Sequence, residues 1–275
     1  MRRLSGVGCS LVVAAWLLGT GLPAEQSQRR VVLASTTSLC DTGLLDALAP
    51  EFTRQTGYPL KPVCVGSGQA LTLGRQGEAD VIIAHAPEAE AAFVREGHAE
   101  LRLGVLRNDF VLVGPAGDPA RIRGLEPSAA LARVAQARAL FITRGDGSGT
   151  EEREKKLWAE LRVQPAGPWY VSAGQGMAAT LRLASEKQAY TLSDRSTFLT
   201  LRDHLDSQIL VEGQPELANH YDVLVVQAAR HPAVNREGAR AFAEFLVSPR
   251  TQDWIAGFGR EKYGTALFIP AAARP

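Results

Sequence analysis

A short apolar segment, a turn and then a helical segment recur along the first part of this chain. Residues 31–34, 60–65 and 79–84 are apolar runs of strand length, and each precedes a segment with helical spacing of its apolar residues. Short apolar strands that alternate with helices form parallel sheets that helices cover on both faces. The sequence therefore predicts an α/β fold in which each sheet is mostly parallel and is flanked by helices.

A second series of strands and helices lies between two segments that are predicted to cross between lobes. The strand at residues 110–113 leads into Gly114-Pro115, and the strand at residues 221–227 returns to the first series. In open α/β sheets, ligands bind beyond the carboxyl ends of the strands. We therefore expect a ligand in the cleft between two lobes, the first formed by residues 25–112 and 225–275 and the second by residues 113–224.

Residues 1–24 have the composition of an export signal peptide. Arg2 and Arg3 give a positive start, residues 11–22 an apolar core, and Pro23-Ala24 a cleavage site. The paired arginines leave the twin-arginine route open beside the Sec route. After cleavage near Ala24, 28 basic and 29 acidic residues remain. The chain therefore has no excess of positive charge that would indicate binding to nucleic acid. We expect an exported, periplasmic protein.

Four turns rich in glycine, serine or threonine stand between predicted strands and predicted helices. They are Ser35-Thr36-Thr37-Ser38, Gly66-Ser67-Gly68-Gln69, residues 144–150 and Gly174-Gln175-Gly176-Met177. Helix starts present free N–H groups, and hydroxyl and guanidinium groups add further donors, so such turns can bind an anion. Each turn alone is equally explained by helix capping or by an ordinary turn. Together they predict one anion held between the two lobes.

Arg144 carries the only full positive charge in these four turns. We expect its guanidinium to donate to the anion, although a solvated arginine, or one paired with Asp146 or Glu154, is the alternative. Asp146 would repel an anion, so we expect it to orient Arg144 or to cap the helix. For Asp194-Arg195 we expect either a similar supporting role or a surface ion pair.

The residues of a hydrolase are not assembled in this sequence. No Walker lysine follows the glycines, and Asp146 occupies the place of the first glycine of a nucleophile elbow. His85 follows a predicted strand, which places it either in the cleft or in a structural role. We therefore expect a binding protein with no enzymatic activity, no cofactor and no metal.

Cys40 and Cys64 are the cysteines that remain after signal cleavage, in an oxidising compartment. Cys40 lies just beyond the first turn, and Cys64 lies near the end of the strand at residues 60–65. Neighbouring parallel strands would bring the two positions close together. We expect a disulfide, with two buried thiols as the alternative.

Seven motifs follow one another along the chain: Ser35-Thr36-Thr37-Ser38, Val65-Gly66-Ser67-Gly68-Gln69-Ala70-Leu71, Asn108-Asp109-Phe110-Val111, Arg144-Gly145-Asp146 with Ser148-Gly149-Thr150, Trp169-Tyr170, Gly174-Gln175-Gly176-Met177 and Asp194-Arg195. Their order and spacing resemble those of the periplasmic tungstate-binding proteins of the TupA type. The resemblance extends from about residue 31 to about residue 227, which is most of the mature chain.

This resemblance implies a two-lobe type II periplasmic binding protein that delivers tungstate to the membrane permease of an ABC importer. It implies ligand hydrogen bonds from Thr36, Thr37 and Ser38 in the first lobe and from Arg144, Ser148 and Thr150 in the second. The turns add Ser67 as a ligand-binding candidate, and Gly68, Asp146, Gln175 and Arg195 as secondary candidates. We expect a monomer.

Three positions depart from the family pattern. The family usually has Thr where Ser35 stands, and it often has Asp at the place of Gly147 and His at the place of Glu151. Glu151 lies in a first helical turn, where its carboxylate suits the helix dipole but competes with an anion. The selectivity among oxyanions therefore stays open, with molybdate as the nearest alternative, followed by phosphate or sulfate.

Overall fold

The computed structural model describes residues 30–272, so the predicted signal peptide lies outside the described residues. The first part alternates strands and helices in the order β1 (Val31–Thr36), α1 (Thr37–Asp41), α2 (Leu44–Thr56), β2 (Leu60–Val65), α3 (Ser67–Gln76), β3 (Val81–Ala84), α4 (Pro87–Arg95) and β4 (Ala99–Pro115). The α/β class predicted from the sequence is therefore confirmed.

The second part continues with α5 (Pro127–Ala137), β5 (Phe141–Thr143), α6 (Gly149–Glu160), β6 (Tyr170–Ser172), α7 (Met177–Glu186), β7 (Thr191–Asp194), α8 (Arg195–Leu201) and β8 (Ser207–Val211). The chain then returns through β9 (Ala218–Val226) to α9 (Arg236–Val247), α10 (Pro249–Gly257), α11 (Arg260–Tyr263) and β10 (Ile269–Pro270). The strands β6, β8 and β10 were not anticipated from the sequence.

The main sheet is mixed rather than mostly parallel. Its strand order is β10-β4-β9-β3-β1-β2, and β7 and β8 also pair with β4. The strands β1, β2 and β3 are parallel, as are β5 and β6, which agrees with the prediction for the strand–helix units. All pairings of β4 and β9 are antiparallel, because these two long strands run in opposite directions between the two parts of the molecule.

The strand β4 passes from one set of partners to another along its length. It pairs with β9 from Ala99 to Asp109, and from Phe110 onward it pairs with β7 and β8. The strand β9 pairs only with β3 and β4, although its first residues were assigned to the second lobe from the sequence. The exchange of partners on β4 thus occurs between Asp109 and Phe110, before the predicted limit at residue 112, and the strand itself continues to Pro115. The lobe limits themselves stay a prediction.

Alternate residues of the central strands face opposite sides of the sheet and enter different apolar clusters. On β3 and β9, Val81 and Val223 pack in the cluster that contains Phe52 and Phe242, whereas Ile82 and Leu224 pack around Phe93. A third cluster, around Phe141, Trp158 and Tyr190, forms the core of the second part. Helices therefore cover the sheet on both faces. The turns that follow the carboxyl ends of the strands lie outside these helical layers.

No helix within residues 30–272 has both the length and the apolar composition needed to cross a membrane. Over the same residues, no cluster of three or more His, Cys, Asp and Glu side chains is arranged to hold a metal ion.

Candidate anion site

The four turns predicted from the sequence meet at one place in the structure. The Gly68 N–H, on α3, donates to the Gly147 carbonyl at 3.2 Å. A methyl group at Gly68 would lie 2.8 Å from that carbonyl oxygen, and one at Gly176 would lie 3.4 Å from Thr37. Glycine at position 68 therefore permits a backbone approach that any side chain would obstruct. The turns of the first part and of the second part are in direct contact.

The Arg144 guanidinium lies at the centre of this contact and is only 2% exposed. Its Nε donates to the Gln175 carbonyl at 3.0 Å, and its Nη2 donates to Thr37 Oγ1 at 3.4 Å and to Asp146 Oδ2. These bonds use Nε and Nη2 and do not involve the two N–H groups on Nη1. The structure thus holds a buried guanidinium in a fixed orientation with two donors left for a ligand.

Asp146 supports Arg144, as expected from its sequence position. One carboxylate oxygen accepts from Arg144, and the other accepts from the Ser148 N–H at 3.2 Å. Both oxygens are therefore engaged within the turn. Gln175 also acts through Arg144, because its backbone carbonyl is the acceptor and its side chain is exposed.

Two serine hydroxyls of the site each accept a hydrogen bond from a backbone N–H, and a third is paired with a tyrosine hydroxyl. Ser148 Oγ caps α6 by accepting from the Glu151 N–H at 3.2 Å. Ser67 Oγ accepts from the His85 N–H at 3.2 Å, and Ser38 Oγ lies 3.2 Å from the Tyr221 hydroxyl. A hydroxyl that already accepts from the protein keeps its own proton for donation. These serines are buried, so their remaining proton is available to a ligand inside the site.

Three threonines complete the hydroxyl set. Thr36 Oγ1 lies 3.1 Å from Ser38 Oγ, and Thr37 is half-buried beside Arg144. Thr150 Oγ1 is buried and has no hydrogen-bond partner within residues 30–272. A buried hydroxyl without a partner is costly unless a ligand or a water satisfies it. Helix α1 begins at Thr37, and its N-cap residue Thr36 makes no side-chain capping hydrogen bond.

Glu151 lies beside the site, as its departure from the family pattern led us to expect. Its Oε2 accepts from the Gly147 N–H at 2.6 Å, and its other oxygen pairs with Lys155. This carboxylate therefore occupies one N–H group of the glycine turn. The N–H groups of Gly149 and Thr150, which open α6, have no intrahelical acceptor and stay available.

Arg195 does not contact the four turns. Its guanidinium pairs with Asp109 at 2.6 Å and with Glu212 at 2.6 Å, so the ion-pair alternative describes it. The neighbouring Asp194 caps α8 by accepting from the Thr197 N–H at 2.9 Å.

A buried polar network behind the first turn was not found from the sequence. Tyr221 and His85 are stacked with ring centroids 4.7 Å apart, and both contact Asn219. Burial lowers the pKa of His85 to about 4 and raises the pKa of Tyr221, so both side chains are neutral near pH 7. The position of His85 after β3 was the available signal, whereas Tyr221 and Asn219 come together only through the pairing of β9.

Asp41 is a further residue that sequence analysis did not place at the site. It lies at the end of α1, and its carboxylate contacts the Ala178 N–H at the start of α7. Burial raises its pKa, and Arg144 and Arg182 act in the opposite direction. The N–H of Ala178, just after the turn at residues 174–177, is therefore already bonded to a carboxylate from the first part of the chain.

The predicted disulfide between Cys40 and Cys64 is confirmed, with the two Cα atoms 6.3 Å apart. It joins α1 to β2, next to the register pair of Ser35 and Cys64. The bond therefore fixes the short helix that carries Thr37 and Ser38 to the edge of the sheet.

Two sets of α/β elements joined by long crossing strands, with donors from both sets meeting between them, define a substrate-binding protein of the type II periplasmic class. The family model described as PBP superfamily domain matches residues 23–250. The tungstate-binding protein TupA of Peptoclostridium acidaminophilum is 43% identical to this chain and is covered over 100% of both chains.

Solved structures give the same result. That of the tungstate-binding protein TupA from Desulfovibrio alaskensis G20 is 41% identical, with 89% of this chain and 99% of that chain covered and a TM-score of 0.75. That of the tungstate ABC transporter from Geobacter sulfurreducens is 38% identical, with coverages of 83% and 98% and a TM-score of 0.76. This chain belongs to the TupA family of the PBP superfamily.

Proposed function

We propose that this protein binds tungstate between its two lobes and delivers it to the permease of an ABC importer. The observation that carries the proposal is the set of free donors around Arg144. The Nη1 N–H groups, the serine protons and the unpartnered Thr150 hydroxyl can all donate to one ion. A tetrahedral dianion that carries no proton offers only acceptors, so it satisfies such a site completely. The named relatives support tungstate as that ion.

The state of Asp146 argues against phosphate. Phosphate keeps a proton at neutral pH, and a site for it needs an acceptor that faces the ligand. The Asp146 carboxylate is instead used within the turn, because one oxygen accepts from Arg144 and the other from the Ser148 N–H. Molybdate has the same charge and shape as tungstate and is the second candidate. Sulfate is smaller, and a preorganised site leaves some donors unmet around it.

The site residues in this proposal are Thr36, Thr37, Ser38, Ser67, Arg144, Ser148 and Thr150. Asp146, Gln175 and Gly68 position them, and Arg195 has no part. The protein acts in the periplasm as a monomer, without a cofactor, and releases the anion chemically unchanged to the permease. Closure of the lobes removes water from the ion and strengthens each hydrogen bond to it.

Isothermal titration calorimetry with tungstate, molybdate, sulfate and phosphate tests this proposal. We expect tungstate to bind with a dissociation constant on the order of nanomolar, near −12 kcal/mol, and sulfate and phosphate to bind far more weakly. Nanomolar binding of phosphate without a response to tungstate would overturn the proposal. Equal affinities for tungstate and molybdate would leave the oxyanion class intact and would reassign the transported ion.

A further inference from the structure

Two helices from the two parts of the molecule contact each other beside the four turns. Helix α4 belongs to the first part, since its Phe93 packs in the cluster that contains Ile82. Helix α6 belongs to the second part, since its Leu157 and Trp158 pack in the cluster around Phe141. The two helices are thus anchored in different cores, and a contact between them spans the cleft.

Three side chains, Glu88, Glu152 and Lys156, make this contact. Lys156 Nζ, on α6, donates to Glu88 Oε1, on α4, at 2.9 Å. The carboxyl groups of Glu88 and Glu152 also form a hydrogen bond. Two carboxyl groups share a hydrogen bond only when one of them carries a proton. This cluster of three residues, which we call the cleft latch, therefore joins the two parts through a proton as well as through an ion pair.

Glu152 is the member of the cleft latch that holds the proton. It is half-buried, and burial, followed by the hydrogen bond to Glu88, raises its pKa to about 7. Glu88 is exposed, and the hydrogen bond from Glu152 lowers its pKa, so it stays ionised. Below about pH 7, Glu152 donates to the Glu88 carboxylate. Above that pH, Glu152 releases its proton to water, and two negative charges face each other across the cleft.

The other charged and titratable groups beside the cleft latch leave this proton in place. A cavity of about 360 Å³ next to it is also lined by His85, Arg153, His220 and Asp222. Asp222 pairs with Arg102 at 2.6 Å, and burial keeps His85 uncharged near pH 7. Arg153 and Lys156 favour the ionised carboxylates, and the raised pKa persists against them. His220 is the same in every protein that the test compares.

We propose that the cleft latch is a pH-sensitive switch on lobe closure, which holds the two parts together around the bound ion while Glu152 is protonated and weakens the closed state once Glu152 is ionised. The inference rests on the proposed function, since closure around tungstate is the step that the switch controls. A group whose pKa is higher in the closed state favours closure at low pH, and this contribution is lost as the pH rises through about 7. The cleft latch lies outside the proposed ligand-binding residues, so it acts on closure.

Glu152→Gln tests the inference, because an amide N–H donates to the Glu88 carboxylate at every pH. Glu88→Gln removes the same repulsion from the other side of the cleft. Glu160→Gln is the matched control, since Glu160 is an exposed acid at the other end of α6 and its replacement changes the net charge equally. The probe is tungstate, which is a dianion throughout, and displacement calorimetry measures its affinity at about pH 6.5 and at about pH 8.5.

We expect the ratio of the affinity at the lower pH to that at the higher pH to be about threefold larger in wild type than in Glu152→Gln. Glu88→Gln should lower this ratio in the same direction, and Glu160→Gln should match wild type. Equal ratios in wild type and Glu152→Gln overturn the switch but leave tungstate binding established. An equal decrease in Glu160→Gln also overturns it, because net charge would then explain the effect. A wild-type protein that binds no tungstate at either pH overturns the proposed function, and the switch with it.

Discussion

The two halves of the proposed site offer an anion different kinds of hydrogen-bond donor. The first half, at the starts of α1 and α3, offers Thr36, Ser38 and Ser67, which are neutral hydroxyls. The second half, at the start of α6, offers the buried guanidinium of Arg144 together with the carboxylate of Asp146. We therefore expect attraction for charge to come from one side of the cleft and discrimination by size from the neutral side. We expect a dianion to be bound tightly only when both halves contact it.

The two halves are also held in place differently. The first half is joined to the sheet by the Cys40–Cys64 disulfide, so its geometry is fixed covalently. The second half is a glycine turn in which Gly145 and Gly147 have φ values of 65° and 68°, a region that favours glycine. Its order comes from the hydrogen bonds of Asp146. Variants that remove one kind of support should therefore affect one half more than the other.

The largest expected effect is the loss of the disulfide in Cys40→Ser combined with Cys64→Ser. Closure of a loop with a sequence separation of 24 stabilises the folded chain by about 3.5 kcal/mol through the entropy of the unfolded state. Urea unfolding should show this loss in free energy, and wild-type protein treated with reductant is the matched control. An unchanged urea midpoint in both would show that the first half is held by packing alone.

The second expected effect is on binding, in Arg144→Ala. Removal of a charged donor should weaken oxyanion binding by about 1.5–3 kcal/mol or more, which calorimetry measures directly. Arg195→Ala is the control, since Arg195 is half-buried but pairs with Asp109 and Glu212. Equal losses in the two variants would mean that the general positive charge of the second part, and not the Arg144 contact, attracts the ion.

Local sequence patterns indicated how the second half of the site is held together. Strand, glycine turn and helix follow one another within residues 139–158. Local patterns were therefore enough to select Arg144 and Ser148 as candidates and to predict that Asp146 supports Arg144, as its hydrogen bond shows. The disulfide was also predictable, because only two cysteines remained after the signal peptide. The fold class followed from the strand–helix alternation, which reports local structure.

The unpredicted features depend on contacts between distant residues. The antiparallel β4 and β9 place Asn108 opposite Asn219, a pairing that neither segment shows by itself. Tyr221 lies 183 residues from Ser38 in the chain, so sequence spacing gives no sign of the contact between their hydroxyls. The mixed sheet has the same origin, since strand direction is set by how the chain crosses between the two parts. Local sequence patterns carry no information on strand direction or on contacts between distant residues.

The third expected effect is on stability in acid and belongs to the first half. Burial lowers the pKa of His85 from 6.5 to about 4, so the unfolded chain takes up a proton that the folded chain does not. The contribution of His85 to stability is complete above about pH 6.5 and is lost as the pH falls toward 4. At about pH 5 the loss amounts to about 2 kcal/mol in the free energy of unfolding.

The effect of His85 has to be separated from that of a buried acid in the second part. Burial raises the pKa of Glu154 to about 7, so its contribution has the opposite sign, present below about pH 4.5 and lost as the pH rises through 7. Urea unfolding of wild type and His85→Gln at about pH 7.5 and 5 resolves the two, because Glu154 contributes equally to both proteins. The stability difference between them should change by about 2 kcal/mol. If the free energies of unfolding of wild type and His85→Gln changed equally with pH, His85 would be protonated, or solvated, in the folded protein.

The smallest expected effect concerns the hydroxyl of Thr37, which connects the first half of the site to Arg144 in the second half. Thr37 Oγ1 accepts from Arg144 Nη2 at 3.4 Å, a long hydrogen bond, and can donate its own proton to the ion. Thr37→Val keeps the shape of the side chain and should weaken tungstate binding by about 1 kcal/mol, with little change in thermal stability. Thr56→Val is the control, because Thr56 is also half-buried and bonds only within α2 and its end. If Thr37→Val equalled Arg144→Ala in its loss of affinity, the neutral half would be acting mainly by orienting the charge, and the division between the two halves would have to be abandoned.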